Sequence, residues 1–273
     1  MARLYFCSTT TGGSYCSYVE DEAEDKSRRS CQVIKDSSRV RNPSWGASQD
    51  GRPRLMKFGE KGRPRGGACN YGKTVESPPI SKLTVAAGNF IFRKGYGCGS
   101  CYEVKCTDNA ACSGKSVTVV VSDECSSCSG YHFNLSGAAF ASIANPGQQD
   151  TLRKLGQVNL QYRRVSCSFG NFVAVRIGEN SRPPTYMEAS IEYVNGDAEY
   201  IDLEVRDQSF LTVSRVGGAT WSFFFAGYNL QPPMTLTLTQ RYSNGTKGNT
   251  IQLPNIIPID WKIGQVYQSK TNF

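Results

Sequence analysis

Val117-Thr-Val-Val-Val-Ser-Asp-Glu-Cys-Ser-Ser-Cys128 sets a β-strand signal beside a carboxylate and a close pair of cysteines. The run from Val117 to Val121 is β-branched throughout and too short for an ordinary helix. It reads as a strand buried on both faces, with Asp123 at its end. Downstream, Val158, Leu160 and Tyr162 alternate with polar residues and predict a second strand in Val158–Cys167. Between the two, Ser136 is placed to cap a short helix. Phe140, Ile143 and Ala144 give that helix an apolar stripe at the i, i+3, i+4 spacing.

After Cys167 the signal is strand throughout. Met187, Ala189, Ile191 and Tyr193 alternate with polar residues, as do Ile201, Leu203 and Val205. Asn195-Gly196 between these runs predicts a type I′ hairpin turn, and Asn244-Gly245 marks another turn. Further runs at Leu211–Val216, Thr220–Phe225 and Met234–Tyr242 complete the pattern of a β-sandwich of about 100 residues.

The chain of 273 residues has room for two modest domains, each able to bury a core. No apolar run approaches the roughly 18 residues that span a bilayer. The formal charge is +8, and residues 69–172 carry 10 Lys/Arg against 6 Asp/Glu. A mildly basic segment of this kind suits a hydroxyl-rich or acidic polymer. It lacks the clustered footprint of a nucleic-acid binder.

All eleven cysteines lie in the first 167 residues, and eight fall at Cys69, Cys98, Cys101, Cys106, Cys112, Cys125, Cys128 and Cys167. An even set in one compact segment reads as a disulfide framework and an oxidising, extracellular destination. Zinc is the competing reading, because Cys98/Cys101 and Cys125/Cys128 both have the two-residue ligand spacing. The long interval to Cys167 and the cysteine-free tail favour staples. The N-terminal sequence turns polar at Ser8 and shows no apolar signal-peptide core. Residues 8–68 have the Ser-, Arg- and Gly-rich texture of disorder.

Gly66-Gly-Ala-Cys-Asn-Tyr-Gly72, Gly97-Cys-Gly-Ser-Cys-Tyr102, Tyr131-His-Phe-Asn134 and Tyr162-Arg-Arg-Val-Ser-Cys167 together resemble the β-expansins of plant cell walls, a family that includes the group-1 grass pollen allergens. Tyr193-Val-Asn-Gly-Asp197, Gly218-Ala-Thr-Trp221 and Ile256-Ile-Pro-x-x-Trp261 extend the resemblance over residues 66–273. It implies an all-β protein: a double-psi β-barrel like that of family-45 endoglucanases over 66–172, then an immunoglobulin-like β-sandwich over 173–273 with its core in 185–268. Residues 1–65 stand outside the resemblance. Where the family places a Thr-Trp-Tyr-Gly-like strand and an acid, this chain has Pro43-Ser-Trp-Gly46 and Arg65.

The resemblance further implies the pairs Cys69–Cys98, Cys101–Cys167 and Cys106–Cys112, leaving Cys125 and Cys128 to each other. It implies polysaccharide contacts at Tyr71, Asp123, His132 and Asn134 on the barrel, and at Tyr186 and Trp221 on the sandwich, with no metal or cofactor. Pyranose rings stack their C–H faces on flat aromatic side chains. Inverting hydrolysis needs an acid and a base carboxyl, and the family's acid position is here Asn134, an amide that cannot supply a catalytic proton. No catalytic residue is therefore expected. His132, the one histidine in the chain, reads as a packed or orienting group. Asn134-Leu-Ser136 and Asn244-Gly-Thr246 are glycosylation sequons.

The expected function is non-hydrolytic loosening of the plant cell wall by a secreted monomer. It would act between cellulose and matrix polysaccharides such as glucan or arabinoxylan. A carbohydrate-binding defence-type protein and a weak endoglucanase are the alternatives.

Overall fold

The computed structural model describes residues 67–273 apart from 129, 156, 171, 207–210, 226–228 and 243; in the first 66 residues it describes the backbone of three short strands. Within residues 1–42, β1 (Phe6–Thr10) and β2 (Gly13–Ser17) pair antiparallel, with Cys7 opposite Cys16. Part of the stretch expected to be disordered is thus a pair of strands. The remainder of that expectation, and Arg65, lie outside the described residues.

The barrel half of residues 43–273 is built on a sheet of six strands, which also includes a pair of residues ahead of position 66. Its strands are β3 (Gly46–Ala47), β4 (Thr84–Ala87), β5 (Cys101–Lys105), β6 (Val117–Glu124), β7 (Phe133–Leu135) and β8 (Gln161–Val165). They run in the order β3-β8-β5-β6-β4-β7, with β4 and β6 parallel and the other pairs antiparallel. Gly46 pairs with Tyr162, so the departure from the family's first strand is answered by a two-residue edge. On β6, Val119, Val120, Val121, Ser122 and Asp123 are all buried. This is the two-sided burial that the unbroken β-branched run signalled.

The short helices are α1 (Asn89–Phe92), α2 (Gly137–Ser142) and α3 (Gln149–Lys154). Ser136 caps α2 by accepting from Ala139 N at 3.1 Å, and Phe140 and Ile143 plug the barrel core. The predicted strand at Val158 begins only at Gln161; Val158 and Leu160 enter the core from irregular chain.

The second half packs two sheets face to face. One has the order β12-β13-β10-β9-β16, from β9 (Ala174–Ile177), β10 (Tyr186–Glu192), β12 (Leu211–Gly217), β13 (Thr220–Phe225) and β16 (Val266–Gln268). The other has the order β11-β14-β15, from β11 (Tyr200–Val205), β14 (Met234–Arg241) and β15 (Lys247–Ile257). Val175, Met187 and Phe223 from the first sheet meet Leu203, Leu236 and Leu253 from the second. Asn244-Gly245 turns β14 into β15.

Asn195-Gly196 makes no hairpin. β10 pairs with β9 and β13, while β11 pairs with β14 in the other sheet, so the chain crosses between layers at this point. A type I′ turn needs φ > 0 at both central residues, yet the left-handed positions here are Tyr193 and Gly196. Gly196 instead exchanges both backbone hydrogen bonds with Cys167, at 2.8 and 3.0 Å, tying sandwich to barrel.

The same seam is closed elsewhere. Arg215 donates to Gly95 O, Asn70 Nδ2 donates to Thr220 Oγ1 at 3.3 Å, and Arg164 Nη2 donates to Ala198 O at 2.6 Å. Gly218 (φ +52°) lies so close to Ala68 and Cys69 that a Cβ would collide with their backbone. Glycine is required there for contact as well as conformation.

Candidate functional site

On the barrel sheet, Ala86 of β4 pairs with Asp123 of β6 on one side and with Asn134 of β7 on the other. Residues in register share a face, and adjacent strands lie about 4.8 Å apart, which places the Asp123 and Asn134 backbones roughly 10 Å apart. Asp123 Oδ1 accepts from Ala68 N at 2.7 Å and from Glu124 N at 2.8 Å, which fixes the carboxylate's orientation. Gly67 (φ +65°) sits where a Cβ would overlap that carboxyl group, so Gly67 and Ala68 form the cradle that seats Asp123.

Asn134 projects opposite to Phe133 and Leu135, which are fully buried in the core. The row thus sets a buried carboxylate and a half-buried amide, its Oδ1 enclosed, across an alanine. A pair with one amide member lacks the two carboxyl groups that inversion requires. His132 is buried beside this row; its carbonyl accepts from Gly88 N at 2.8 Å, and its Cβ packs where Gly88 has no side chain.

Tyr71 is not part of that face. It is 5% exposed in the seam between barrel and sandwich, with its hydroxyl against Gly99. Burial, and then the Glu192 charge, push its phenol pKa up. A ring so placed cannot stack on a glycan. It lines a cavity of about 80 Å³ together with Tyr96, Glu192, Arg215 and Trp221. Arg215 stands 4.3 Å over the Tyr96 ring, and burial lowers its pKa. Glu192 is buried against Arg176 (Nε to Oε1 2.8 Å), whose guanidinium also donates to Thr74 of the barrel. Burial raises the Glu192 pKa, opposed by Arg176.

On the sandwich, β10 turns Met187, Ala189 and Ile191 inward and Tyr186, Glu188 and Ser190 to the outer face of its sheet. Tyr186 lies opposite Phe224 of β13, and Phe224 opposite Thr212 of β12. Phe224 is 47% exposed. Tyr186 donates its hydroxyl to Glu188 Oε1 at 2.7 Å, and its pKa is pushed up to about 12 by burial first and Glu188 second.

Trp221 points the other way, with Phe223, and packs half-buried against the sandwich core. The glycines before it do not leave it open, because Gly218 and Ala219 are pressed onto the barrel, where Ala219 N donates to Cys69 O at 3.4 Å. Phe224 therefore replaces Trp221 as the aromatic neighbour of Tyr186. Its signal was in the sequence: period 2 over Thr220–Phe225 puts Trp221 and Phe223 on one face and Phe224 on the other.

The described cysteines are joined as Cys69–Cys98, Cys101–Cys167, Cys106–Cys112 and Cys125–Cys128. Cys98 and Cys101 go to different partners, which removes that pair as a zinc motif. The two sequons differ in access. Ser136 of the first is fully buried, donating its hydroxyl to Lys82 O. Asn244 lies exposed in the β14–β15 turn, its Oδ1 accepting from Thr246 N at 2.9 Å.

Known proteins share both halves. The family model described as lytic transglycolase matches residues 84–162, and that of the expansin C-terminal domain matches residues 173–258. Over 215 residues the chain is 37% identical to the putative expansin-B2 of Arabidopsis thaliana, covering 76% of this chain and 77% of that one. The chain belongs to the β-expansin family. It is also 36% identical over 217 residues to pollen allergen Phl p 1 of Phleum pratense, covering 76% of this chain and 78% of the allergen. The expansin fold recurs in the crystal structure of the apo expansin of Clavibacter michiganensis, at TM-score 0.60 and 19% identity over 81% of this chain and 96% of that one. A point mutant of the same bacterial expansin, similar at TM-score 0.58 and 19% identity over the same shares of the two chains, is in complex with cellohexaose. The double-psi barrel and the sandwich of this chain are thus the two domains of an expansin.

Proposed function

We propose that this β-expansin loosens plant cell walls without cutting them, as a secreted single copy acting between cellulose and matrix glucan or arabinoxylan. The observation that carries the reading is the row Asp123–Ala86–Asn134, in which the partner of the lone carboxylate is an amide. Such a row can exchange hydrogen bonds with a polysaccharide, hydroxyl for hydroxyl. It has no proton donor aimed at a glycosidic oxygen.

Labour divides near residue 172. The sandwich, from 173 onward, docks on glucan through Tyr186 and Phe224, while the barrel engages the matrix chain through Asp123 and Asn134, with His132 supporting the row from behind. The seam of backbone pairs at Cys167/Gly196 and Ala219/Cys69 holds the two faces as one body. Cellohexaose bound to the bacterial expansin supports a glucan ligand. Of the two sequons, Asn244 is the one proposed to carry sugar, since Ser136 is enclosed.

Incubation with insoluble cellulose and with soluble glucan tests the binding half of the proposal. Retention on cellulose without new reducing ends in the soluble glucan is expected. Release of reducing ends would make the protein a glucanase, and no retention would remove the docking role.

A further inference from the structure

Cys125, Cys128 and His132 each bring one metal-binding atom to a common spot, all within 4.8 Å of one another. Tetrahedral zinc–ligand bonds of roughly 2.0–2.3 Å set their donors about 3.3–3.8 Å apart, so an ion seated here draws the three atoms about an ångström closer than the outer limit of their spread. The C-x-x-C spacing is that of zinc ligands, and a third donor arriving from another turn completes a Cys₂His set. A second cluster, Cys106, Asp108 and Cys112, is weaker, because Asp108 is exposed and already accepts from Asn159 Nδ2 at 2.7 Å.

Two of the three donors are joined in a disulfide whose sequence separation is 3, against 29 for Cys69–Cys98 and 66 for Cys101–Cys167. A bridge that closes so short a loop constrains the unfolded chain least, and the fold depends on it least. Cys128 is half-exposed, so a reductant can reach the bridge. Backbone hydrogen bonds hold the same residues alongside the S–S bond. Cys125 N donates to Ala87 O at 2.9 Å, Cys128 N to Cys125 O at 2.9 Å, and Gly88 N to His132 O at 2.8 Å. These bonds, none of which passes through the sulfurs, hold all three donor residues against the ends of β4 and β6.

We propose that opening of the Cys125–Cys128 bridge by an external dithiol uncovers a Cys₂His site for a Zn²⁺-class ion, at the end of the strands that carry Asp123 and Ala86. In the opening step the dithiol becomes a disulfide, and its electron pair and two protons pass to Cys125 and Cys128. Cation binding then releases those two protons as both sulfurs ligate as thiolates. Three protein donors leave one tetrahedral position for water or a sugar hydroxyl.

The test uses the full chain, treated with limiting dithiol, mapped by alkylation and mass spectrometry, and titrated with Co²⁺ as a coloured stand-in. Cys125 and Cys128 are expected to be alkylated while the other three bridges remain. One Co²⁺ per chain should then give thiolate charge-transfer bands that Zn²⁺ abolishes. The paired substitutions Cys125→Ser and Cys128→Ser should remove the bands. His132→Gln should weaken binding on the order of tenfold or more, since even outer-shell partners are worth that much. Absence of bands in the opened wild type, bands persisting without both thiols, or opening of this bridge only together with the others would overturn the proposal. Unchanged affinity in His132→Gln would remove the third ligand and with it the Cys₂His site.

Discussion

The barrel carries all four described disulfides, whereas the sandwich, from residue 173 on, contains no cysteine at all. Several of the strands differ in length as well. Barrel strands β4, β5 and β7 have 4, 5 and 3 residues, while β14 and β15 of the sandwich have 8 and 11. Short ladders leave more of the barrel in irregular chain between its strands, and the four bridges tie that chain down. The sandwich is held without bridges by two sheets that interleave Met187, Phe223, Leu236 and Leu253. The faces differ in the same sense. The barrel sets its polar row largely below the surface, and the sandwich presents aromatic surface.

Reduction should break this contrast most sharply. Each native disulfide of a small secreted domain is worth about 2–5 kcal/mol. Complete reduction should unfold the barrel and leave residues 173–273 protected, as read by hydrogen exchange. Equal loss of protection in both halves would show that the sandwich leans on the barrel.

Next in size is Trp221→Ala. Full truncation of a core Phe or Trp costs about 3–5 kcal/mol, and a half-buried ring packed beside Phe223 should cost part of that, as a drop in the sandwich's unfolding midpoint. Tyr186→Ala and Phe224→Ala should leave that midpoint nearly unchanged and weaken cellulose retention. An aromatic contact worth about 0.5–1.5 kcal/mol corresponds to roughly a two- to tenfold loss. The opposite assignment, with retention lost in Trp221→Ala alone, would restore Trp221 to the surface.

The smallest effect concerns Glu192 in the seam. Its pKa is raised in the folded protein, first by burial, so the native state binds the proton more tightly than the unfolded chain. The contribution of this group to stability is therefore greatest at acid pH. It falls as pH rises from the unfolded glutamate value of about 4.3 through the raised folded value. Glu192→Gln should flatten the unfolding midpoint against pH in that window. An unchanged slope would assign the dependence to other groups.

Much of the contrast was legible in the residues. The β-branched run at Val117–Val121 and the Ser136 cap are local signals that became the elements they predict. The alternation in Met187–Val194 became a strand as far as Glu192, where Tyr193 turns left-handed and leaves the sandwich face for the barrel. Pairing is not local. Asn195-Gly196 has hairpin chemistry, but its flanking strands belong to different sheets, and the glycine is spent on a backbone pair with Cys167. The same limit governed the site. Asp123 and Asn134 could be named from motifs, yet their shared face depends on Ala86 standing between them. Tyr71 and Trp221 looked like surface aromatics until the seam covered one and the core claimed the other. Phe224 stands in the triplet Phe223-Phe224-Phe225, where only the period of two separates the outward ring from the inward one.

Loosening without cutting, by a face whose would-be acid is Asn134, is tested most directly on isolated, heat-inactivated walls held under constant load. Addition of the protein should produce steady extension while the reducing ends released into the bathing solution stay at the level of the buffer control. Extension accompanied by rising reducing ends, or no extension at all, would contradict it.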